Sequence, residues 1–543
     1  MKRAFNITRF FLLGIFFLAL LLRVFELGSL PYSLHQDELM NGYVGRFIIE
    51  NGRDLYGNRW PIFYFDRFGD YPNVIPMYFS GLSTLLFGVN ELAVRLPIAL
   101  FGALTVFPFY YLSFLVFKEK KVALFNSFLL AILPWHVVLS RATAEGILGL
   151  FFFSVALVLL LKAIARGSKK IFLGAAFCFL FTYFLYPSFR VITPLAIFPL
   201  PFLLNPQKKE FKKYLFILMA LFLLITIMIS QTKWGQGRYS QTSLFKSEEV
   251  SNRIKSNLTA LSYDFGPGNI WRTRIFHNKI VAYTREFLSQ YSSYFSPEFL
   301  FLKGGLPDRY RVPYQGLAYL CLGLLIVVGL WPAKIVINKR LFGYFLYLFL
   351  LAPLPAALTV DDTPNIHRAV FLILPLIMVL GLGFSKLNSL FPKFKMSLIL
   401  FPFLFLEFAW FWNQYSAHTS SYKSFLRNDG SKELVELVKN KQKKYQKVIM
   451  PAKGTLSLYY LFYTHDFNSQ YAGKFKAYLM IDKIGKIEFL GGWCPSELIK
   501  KENLTGEILI VDQGDCKEVE GLKEIKVIYR KDSTRAFRLL TGL

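Results

Sequence analysis

The passage that decides the class of this chain is Phe10-Phe-Leu-Leu-Gly-Ile-Phe-Phe-Leu-Ala-Leu-Leu-Leu22, followed after a short link by Pro31-Tyr-Ser-Leu-His-Gln-Asp-Glu-Leu-Met-Asn-Gly-Tyr43. The first part is an apolar run preceded by Lys2, Arg3 and Arg9. No small-residue cleavage site follows it, so it reads as an uncleaved first membrane span. The second part places two adjacent carboxylates, Asp37 and Glu38, just beyond a hydrocarbon boundary. Neighbouring side chains on a helix point about 100° apart, so the two acids cannot face one ligand together. Asp37 is the favoured catalytic base. The plainer reading is that Asp37 caps a helix starting near Glu38, since acids suit a helix N-terminus.

Working outward, the 543 residues are 54% hydrophobic and 18% aromatic, with a mean hydropathy of +0.39. That composition excludes an ordinary soluble globule and predicts a multi-pass membrane protein. Beyond a long loop at 31–90, apolar runs lie at about 91–117, 122–140, 147–161, 171–187, 190–204 and 214–230. A polar loop at 231–312 interrupts them. Further runs at about 314–332, 341–358, 367–385 and 396–413 bring the expectation to eleven spans. Within the first loop, the apolar stretch Val74 to Phe87 is too short to span and reads as an interfacial helix.

Alternate short loops test this count, because cytoplasmic loops collect Lys and Arg. One parity carries twenty: Lys2, Arg3, Arg9; Lys118, Lys120, Lys121; Lys162, Arg166, Lys169, Lys170; Lys208, Lys209, Lys212, Lys213; Lys334, Lys339, Arg340; and Lys386, Lys393, Lys395. The other carries three, Arg141, Arg190 and Arg368. This predicts a cytoplasmic N-terminus, with loops 31–90 and 231–312 and the tail from about 416 to 543 outside. Much of the formal charge of +28 thus faces lipid head groups, and no nucleic-acid partner is implied.

The tail reads as a small extracytoplasmic α/β domain: helices at Ser431 to about Tyr445 and Leu456 to Tyr463, and strands at Val448-Ile-Met, Ile487-Glu-Phe-Leu, Ile508-Leu-Ile-Val and Ile525-Lys-Val-Ile-Tyr. The domain division is therefore 1–415 and 416–543. Of four cysteines, Cys178 and Cys321 fall in apolar runs, and only Cys494 with Cys516 can pair, in an oxidising compartment.

Charges inside apolar runs, such as Arg23, Arg95 and Glu407, fall near outer ends, so the chemistry belongs at the outer interface. Besides the Asp37–Glu38 loop, three clusters sit there. In Ser140-Arg141-Ala-Thr-Ala-Glu145-Gly146, Arg141 and Glu145 are one helical turn apart and could simply pair. Arg190 in Tyr186-Pro-Ser-Phe-Arg190 could simply snorkel to lipid phosphates. The last is Pro364-Asn-Ile-His367-Arg368, just after Asp361-Asp362. His136 reads as a packing residue, whereas His35 could orient the base, bind a metal or do neither. There is no zinc-type ligand spacing, no phosphate-cradling Gly-rich loop and no Gly-x-Ser-x-Gly elbow. A carboxylate base with arginines nearby is what displacement at a sugar on a lipid phosphate needs.

At these residues the chain resembles the membrane glycosyltransferases of the GT-C fold, in the superfamily of dolichyl-phosphate-mannose protein mannosyltransferases and aminoarabinose (lipid A) transferases. The resemblance rests on Asp37-Glu38, on Phe87-Gly-Val-Asn-Glu-Leu-Ala-Val-Arg-Leu-Pro97, and on Ser140-Arg141 through Glu145. It rests also on Tyr294-Phe-Ser-Pro-Glu-Phe-Leu-Phe301 and on Pro355-Ala-Ala-Leu-Thr359 through His367-Arg368, and covers roughly residues 10 to 415. It implies inverting transfer from a polyprenyl-phosphate sugar, flipped outward, to a hydroxyl on a lipid, glycan or protein acceptor. Carried over by position, Asp37 is the base and Glu145 the second acid, with Glu38 the neighbouring alternative. Arg190 and Arg368, with Arg141, His35 and His367, are the substrate and phosphate contacts. No metal ligands are assigned; a divalent ion near Asp37 is left open. Many relatives have Lys-Pro-Pro-Leu before the interfacial helix, but this chain reads Asp70-Tyr71-Pro72-Asn73, so another cation must hold the lipid phosphate here or the donor differs.

Two other classes compete. A transporter or flippase of lipid-linked saccharides predicts polar midplane residues and internal repeat symmetry, and the sequence has neither. A membrane-anchored binding protein would make the tail the active part and the outer clusters packing contacts.

Overall fold

The computed structural model describes every residue except 1, 68–69, 205–207, 267–269, 277, 332–336, 392–395, 454, 477–478, 500–505 and 543. Of the basic residues used for the topology, Lys334, Lys393 and Lys395 lie outside the described residues. Among the described residues six helices are long and apolar enough to cross a membrane: Ile7–Val24, Glu91–Phe117, Gly146–Arg166, Lys209–Ser230, Lys339–Ala357 and Val370–Leu390. Lys120–Ile132 and Pro134–Arg141, bent by 49°, make a seventh if the pair is one span. The break falls where Pro134 lacks an N–H and its ring crowds the preceding turn. Other expected spans appear as shorter or broken helices, Lys169–Thr182, Ser188–Leu203 and Leu322–Leu330, and Met396–Asn413 follows the last of them. Length and composition alone therefore secure fewer than the eleven spans expected, while the mainly helical, multi-pass architecture and the C-terminal α/β segment are borne out.

The chain forms two compact units, 1–22 with 101–139 and 145–411, and 23–100 with 140–144 and 412–543. In the first unit the helix Val370–Leu390 is central, its apolar window wholly buried. Phe384 on that helix stacks against Phe125 at 3.9 Å between ring centroids. Loops of this unit are joined by isolated β-bridges, Leu306 beside Asn365 and Ser243 beside Thr359.

The second unit joins the loop 31–90 to the C-terminal segment. That segment holds a mixed six-stranded sheet of β1 (Lys447–Pro451), β2 (Lys483–Ile484), β3 (Ile487–Leu490), β4 (Ile508–Gln513), β5 (Leu522–Tyr529) and β6 (Arg535–Gly542), in the order β2-β3-β1-β4-β6-β5. β1 runs parallel to β3 and β4, and the remaining pairs are antiparallel. Cys494 and Cys516, the two cysteines that the sequence leaves able to pair, form a disulfide with their Cα atoms 5.6 Å apart.

The tail does not build its core alone. One apolar cluster contains Leu39, Tyr43 and Phe47 of the first loop together with Leu434, Tyr459, Phe462 and Leu509 of the tail. Apolar residues on Gln36–Asn51 need a cover, and burying them against the tail helix Leu456–Thr464 supplies it. Packing groups loop 31–90 with the C-terminal segment. Helix Gln36–Asn51 also meets Ile75–Phe87 backbone to backbone. A Cβ on Gly45 would lie 1.8 Å from Met77 O, and one on Gly81 would lie 2.3 Å from Gly45 C, so neither position admits a side chain.

Candidate active site

In the second unit the helix carrying Asp37 starts at Gln36, and its N-cap is His35, at φ −67° and ψ 156°. His35 Nδ1 accepts the Asp37 N–H at 3.2 Å while the Glu38 carboxylate accepts the His35 N–H at 2.9 Å. This reciprocal pair is a capping box with histidine in place of the usual hydroxyl. The cap is one function Asp37 does not perform, because it sits inside the first turn.

Asp37 and Glu38 then part ways. Glu38 is buried between two guanidinium groups: Arg95 Nε lies 2.9 Å from Oε1, and Arg427 Nη2 lies 2.6 Å from Oε2. Burial pushes its carboxyl up, but Arg95 and Arg427 more than offset this and hold it below the usual glutamate range. The Asp37 side chain, in contrast, is 31% exposed, with Arg67 Nη1 3.8 Å from Oδ1 and His35 Nδ1 3.4 Å from Oδ2. Arg67 is also paired with Asp70. A second ligand for a metal here would be His35 Nδ1, which is already engaged by the Asp37 N–H. Among the described residues no group of three or more His, Cys, Asp or Glu side chains is placed to hold a metal ion.

Arg141, in the same unit, is fully buried. It donates to Phe25 O at 2.8 Å, to Leu30 O at 2.9 Å and to the Tyr415 hydroxyl at 3.2 Å, and its guanidinium lies 5.7 Å from the Trp412 ring centroid. These contacts fix the turn that leaves the first span.

In the first unit, Glu145 precedes helix Gly146–Arg166 without capping it, and its Oε2 lies 3.8 Å from His367 Nε2. That nitrogen accepts the Gly146 N–H at 3.0 Å, taking up one of the amides that a helix start leaves without a partner. The imidazole stacks on Tyr186 at 4.2 Å and meets the edge of Tyr310 at 5.6 Å. Tyr294, in one of the quoted motifs, receives the Asn365 N–H on its hydroxyl at 2.9 Å and so holds the loop that presents His367. Arg368 is clamped by Asp361, with Nη2 2.8 Å from Oδ2, and by the Thr359 hydroxyl at 2.8 Å. Burial raises the neighbouring Asp362 carboxyl, with Asp361 adding to the shift and Arg309 and Arg368 opposing it. Arg190 is buried, its guanidinium 3.8 Å from the Trp234 ring centroid, donating to Trp234 O at 3.1 Å and Tyr183 O at 3.3 Å. His136 is fully buried.

The sequence reading missed two arginines. Arg67 is one of four arginines in the first loop, and only the Arg67-x-x-Asp70 spacing hinted at a closed turn. Arg427 had no local signal at all.

Residues 70–232 match the family described as dolichyl-phosphate-mannose-protein mannosyltransferase. No curated protein sequence matches the chain. Similar solved structures include the crystal structure of ArnT from Cupriavidus metallidurans in the apo state, at 12% identity and a TM-score of 0.43, covering 99% of this chain and 98% of that one. The crystal structure of ArnT from the same organism bound to undecaprenyl phosphate is similar at 11% identity and a TM-score of 0.41, with the same coverage of 99% and 98%. Over residues 70–232 the chain thus carries the sequence pattern of a family named for a dolichyl-phosphate-mannose donor, and the resemblance to the protein mannosyltransferase superfamily read from its outer loops is borne out.

Proposed function

We propose that the chain is an integral membrane glycosyltransferase that moves a sugar from a polyprenyl-phosphate donor to an acceptor hydroxyl at the outer face of the cytoplasmic membrane. The observation that carries this reading is the division of labour between the paired acids. Glu38 is consumed by a buried two-arginine clamp, whereas Asp37 reaches the surface with Arg67 beside it. The family match over residues 70–232 supports the donor class, and the 20 to 3 charge split supports the sidedness.

In the proposed step, Asp37 removes the proton of the acceptor hydroxyl as its oxygen bonds to the anomeric carbon. The bond from that carbon to the phosphate oxygen breaks, and polyprenyl phosphate leaves with the electron pair. Glu38 acts structurally rather than as a base. Glu145, His367 and Arg368 are assigned separately, as contacts for the donor, and Arg141 and Arg190 as fold-holding cations.

The test is incubation of purified protein with undecaprenyl-phosphate-linked mannose and other hexoses and pentoses, scoring release of undecaprenyl phosphate. Asp37→Asn keeps the shape but cannot take a proton, and the expected loss is at least roughly a hundredfold in transfer, the scale of a general base. A folded Asp37→Asn protein that transfers at the normal rate would end this assignment.

A further inference from the structure

The helix that carries Asp37 is gripped along its length by a part of the chain 389 to 425 residues away. Tyr459 donates its hydroxyl to Leu34 O at 2.6 Å, just before the cap. Tyr43 donates to Asp466 O at 2.8 Å in mid-helix, and Asn51 donates to Phe467 O at 2.9 Å at its end. At the first turn the grip is ionic. Arg427 belongs to a short helical turn, Ser424–Arg427, flanked by Lys423 and Asn428 at φ +49° and +53°. Its Nη2 reaches Glu38 Oε2 at 2.6 Å and its Nε reaches Tyr32 O at 3.1 Å.

Stability alone does not call for this second guanidinium. Arg95 already gives Glu38 two contacts, at 2.9 and 3.2 Å, and so neutralises it. Burying another cation costs desolvation that its attraction to an already paired carboxylate offsets poorly. What the second contact adds is geometry. Oε2 of Glu38 is also the acceptor that closes the capping box on His35, and His35 in turn receives the Asp37 N–H. Arg427 holds Oε2 at 2.6 Å, closer than Arg95 Nη2 at 3.2 Å, and so fixes the backbone of the turn from which the Asp37 side chain leaves.

We propose that Arg427 is a positioning residue for Asp37, acting through Glu38 on the first turn of helix Gln36–Asn51, so that the C-terminal segment serves the reaction by aiming the base. The inference rests on the assignment of Asp37 as base. Placement of the base matters because a misplacement of about 1 Å costs on the order of a hundredfold in rate.

The experiment uses the full-length protein and, as substrate, the undecaprenyl-phosphate sugar of the panel that it turns over fastest. Arg427→Ala is expected to lower kcat roughly tenfold to a hundredfold with donor KM changed less than about twofold, and Arg427→Lys, which keeps one charge for Oε2, to recover part of it. Combining Arg427→Ala with Asp37→Asn should cost no more than Asp37→Asn alone, because the arginine acts through the aspartate. Independently of activity, amide exchange over residues 35–39 should quicken by about tenfold or more in Arg427→Ala, and in Arg427→Lys if the alanine variant does not fold. Unchanged exchange there, or an additive double variant, would overturn the positioning role. A fully active Asp37→Asn protein would instead remove the base assignment beneath it, and the exchange result tells these two failures apart.

Discussion

His367 Nε2 accepts the Gly146 N–H at 3.0 Å, and Glu145 Oε2 lies 3.8 Å from the same nitrogen. The ring fits against a residue without a side chain. A Cβ on Gly146 would lie 2.7 Å from Val370 Cγ1 and 3.1 Å from His367 Nε2. Gly146→Ala should therefore destabilise the protein by about 1–3 kcal/mol through overpacking and lower transfer by displacing the ring. Thermal unfolding of the purified variant checks this, and an unchanged midpoint would contradict the close approach.

The clamp on Glu38 predicts how stability responds to acid. Its carboxyl titrates in the folded protein below the unfolded value of roughly 4.3, so its contribution is complete above that pH and is lost as pH falls through the depressed folded value. Glu38→Gln leaves Arg95 and Arg427 without their anion, at a cost of about 3–5 kcal/mol. Melting midpoints of the two proteins should differ most above about pH 5 and converge on acidification below roughly pH 4. A gap that stays constant would refute the assignment.

Arg190 and Arg368, equal in the sequence reading, should now behave differently. Arg190 is buried against an indole and two carbonyl groups, so Arg190→Ala is expected to cost about 2–3 kcal/mol of stability. Arg368 pairs with Asp361, whose side chain is 54% exposed, and such a contact is worth roughly 1 kcal/mol or less. On the proposed function it exchanges for the donor phosphate. Arg368→Ala should weaken donor use on the order of tenfold to a hundredfold with little change in melting, read by donor titration beside thermal unfolding.

The sidedness is checked by reporter fusions after Lys121, Lys170, Lys213 or Arg340, expected cytoplasmic, and within 231–312 or after Tyr415, expected external. The motivation is the 20 to 3 charge split together with the bond between Cys494 and Cys516. A cytoplasmic reading after Tyr415 would overturn the proposed orientation and, with it, an external Asp37.

What the sequence showed plainly was whatever has a short period or a local punctuation. The helix expected over Val74 to Phe87 is Ile75–Phe87, and the strands expected at Ile508 and Ile525 are β4 and β5. β6 was not anticipated, because it lies between β4 and β5 and is buried on both faces, which erases the alternation a half-buried strand shows. The expected span at 122–140 was drawn straight through Pro134, where the helix breaks. At the site, the acids and their cluster were legible and Asp37 was the favoured base, but the place of Glu38 in an ion-pair clamp was not. Glu38 and Asp37 look alike in sequence, and only partners brought from Arg95 and Arg427 separate them. No periodicity reports a contact across that distance.

That distance also sets an order of events in synthesis. Glu38 and Arg427 are 389 positions apart. At roughly 5 to 20 residues per second, Arg427 emerges on the order of 20 to 80 seconds after Glu38. Until then Leu39, Tyr43 and Phe47 have no partners from the tail to cover them, and the newborn loop waits at the membrane surface with its apolar face uncovered. A chain halted before its tail leaves that face uncovered for good.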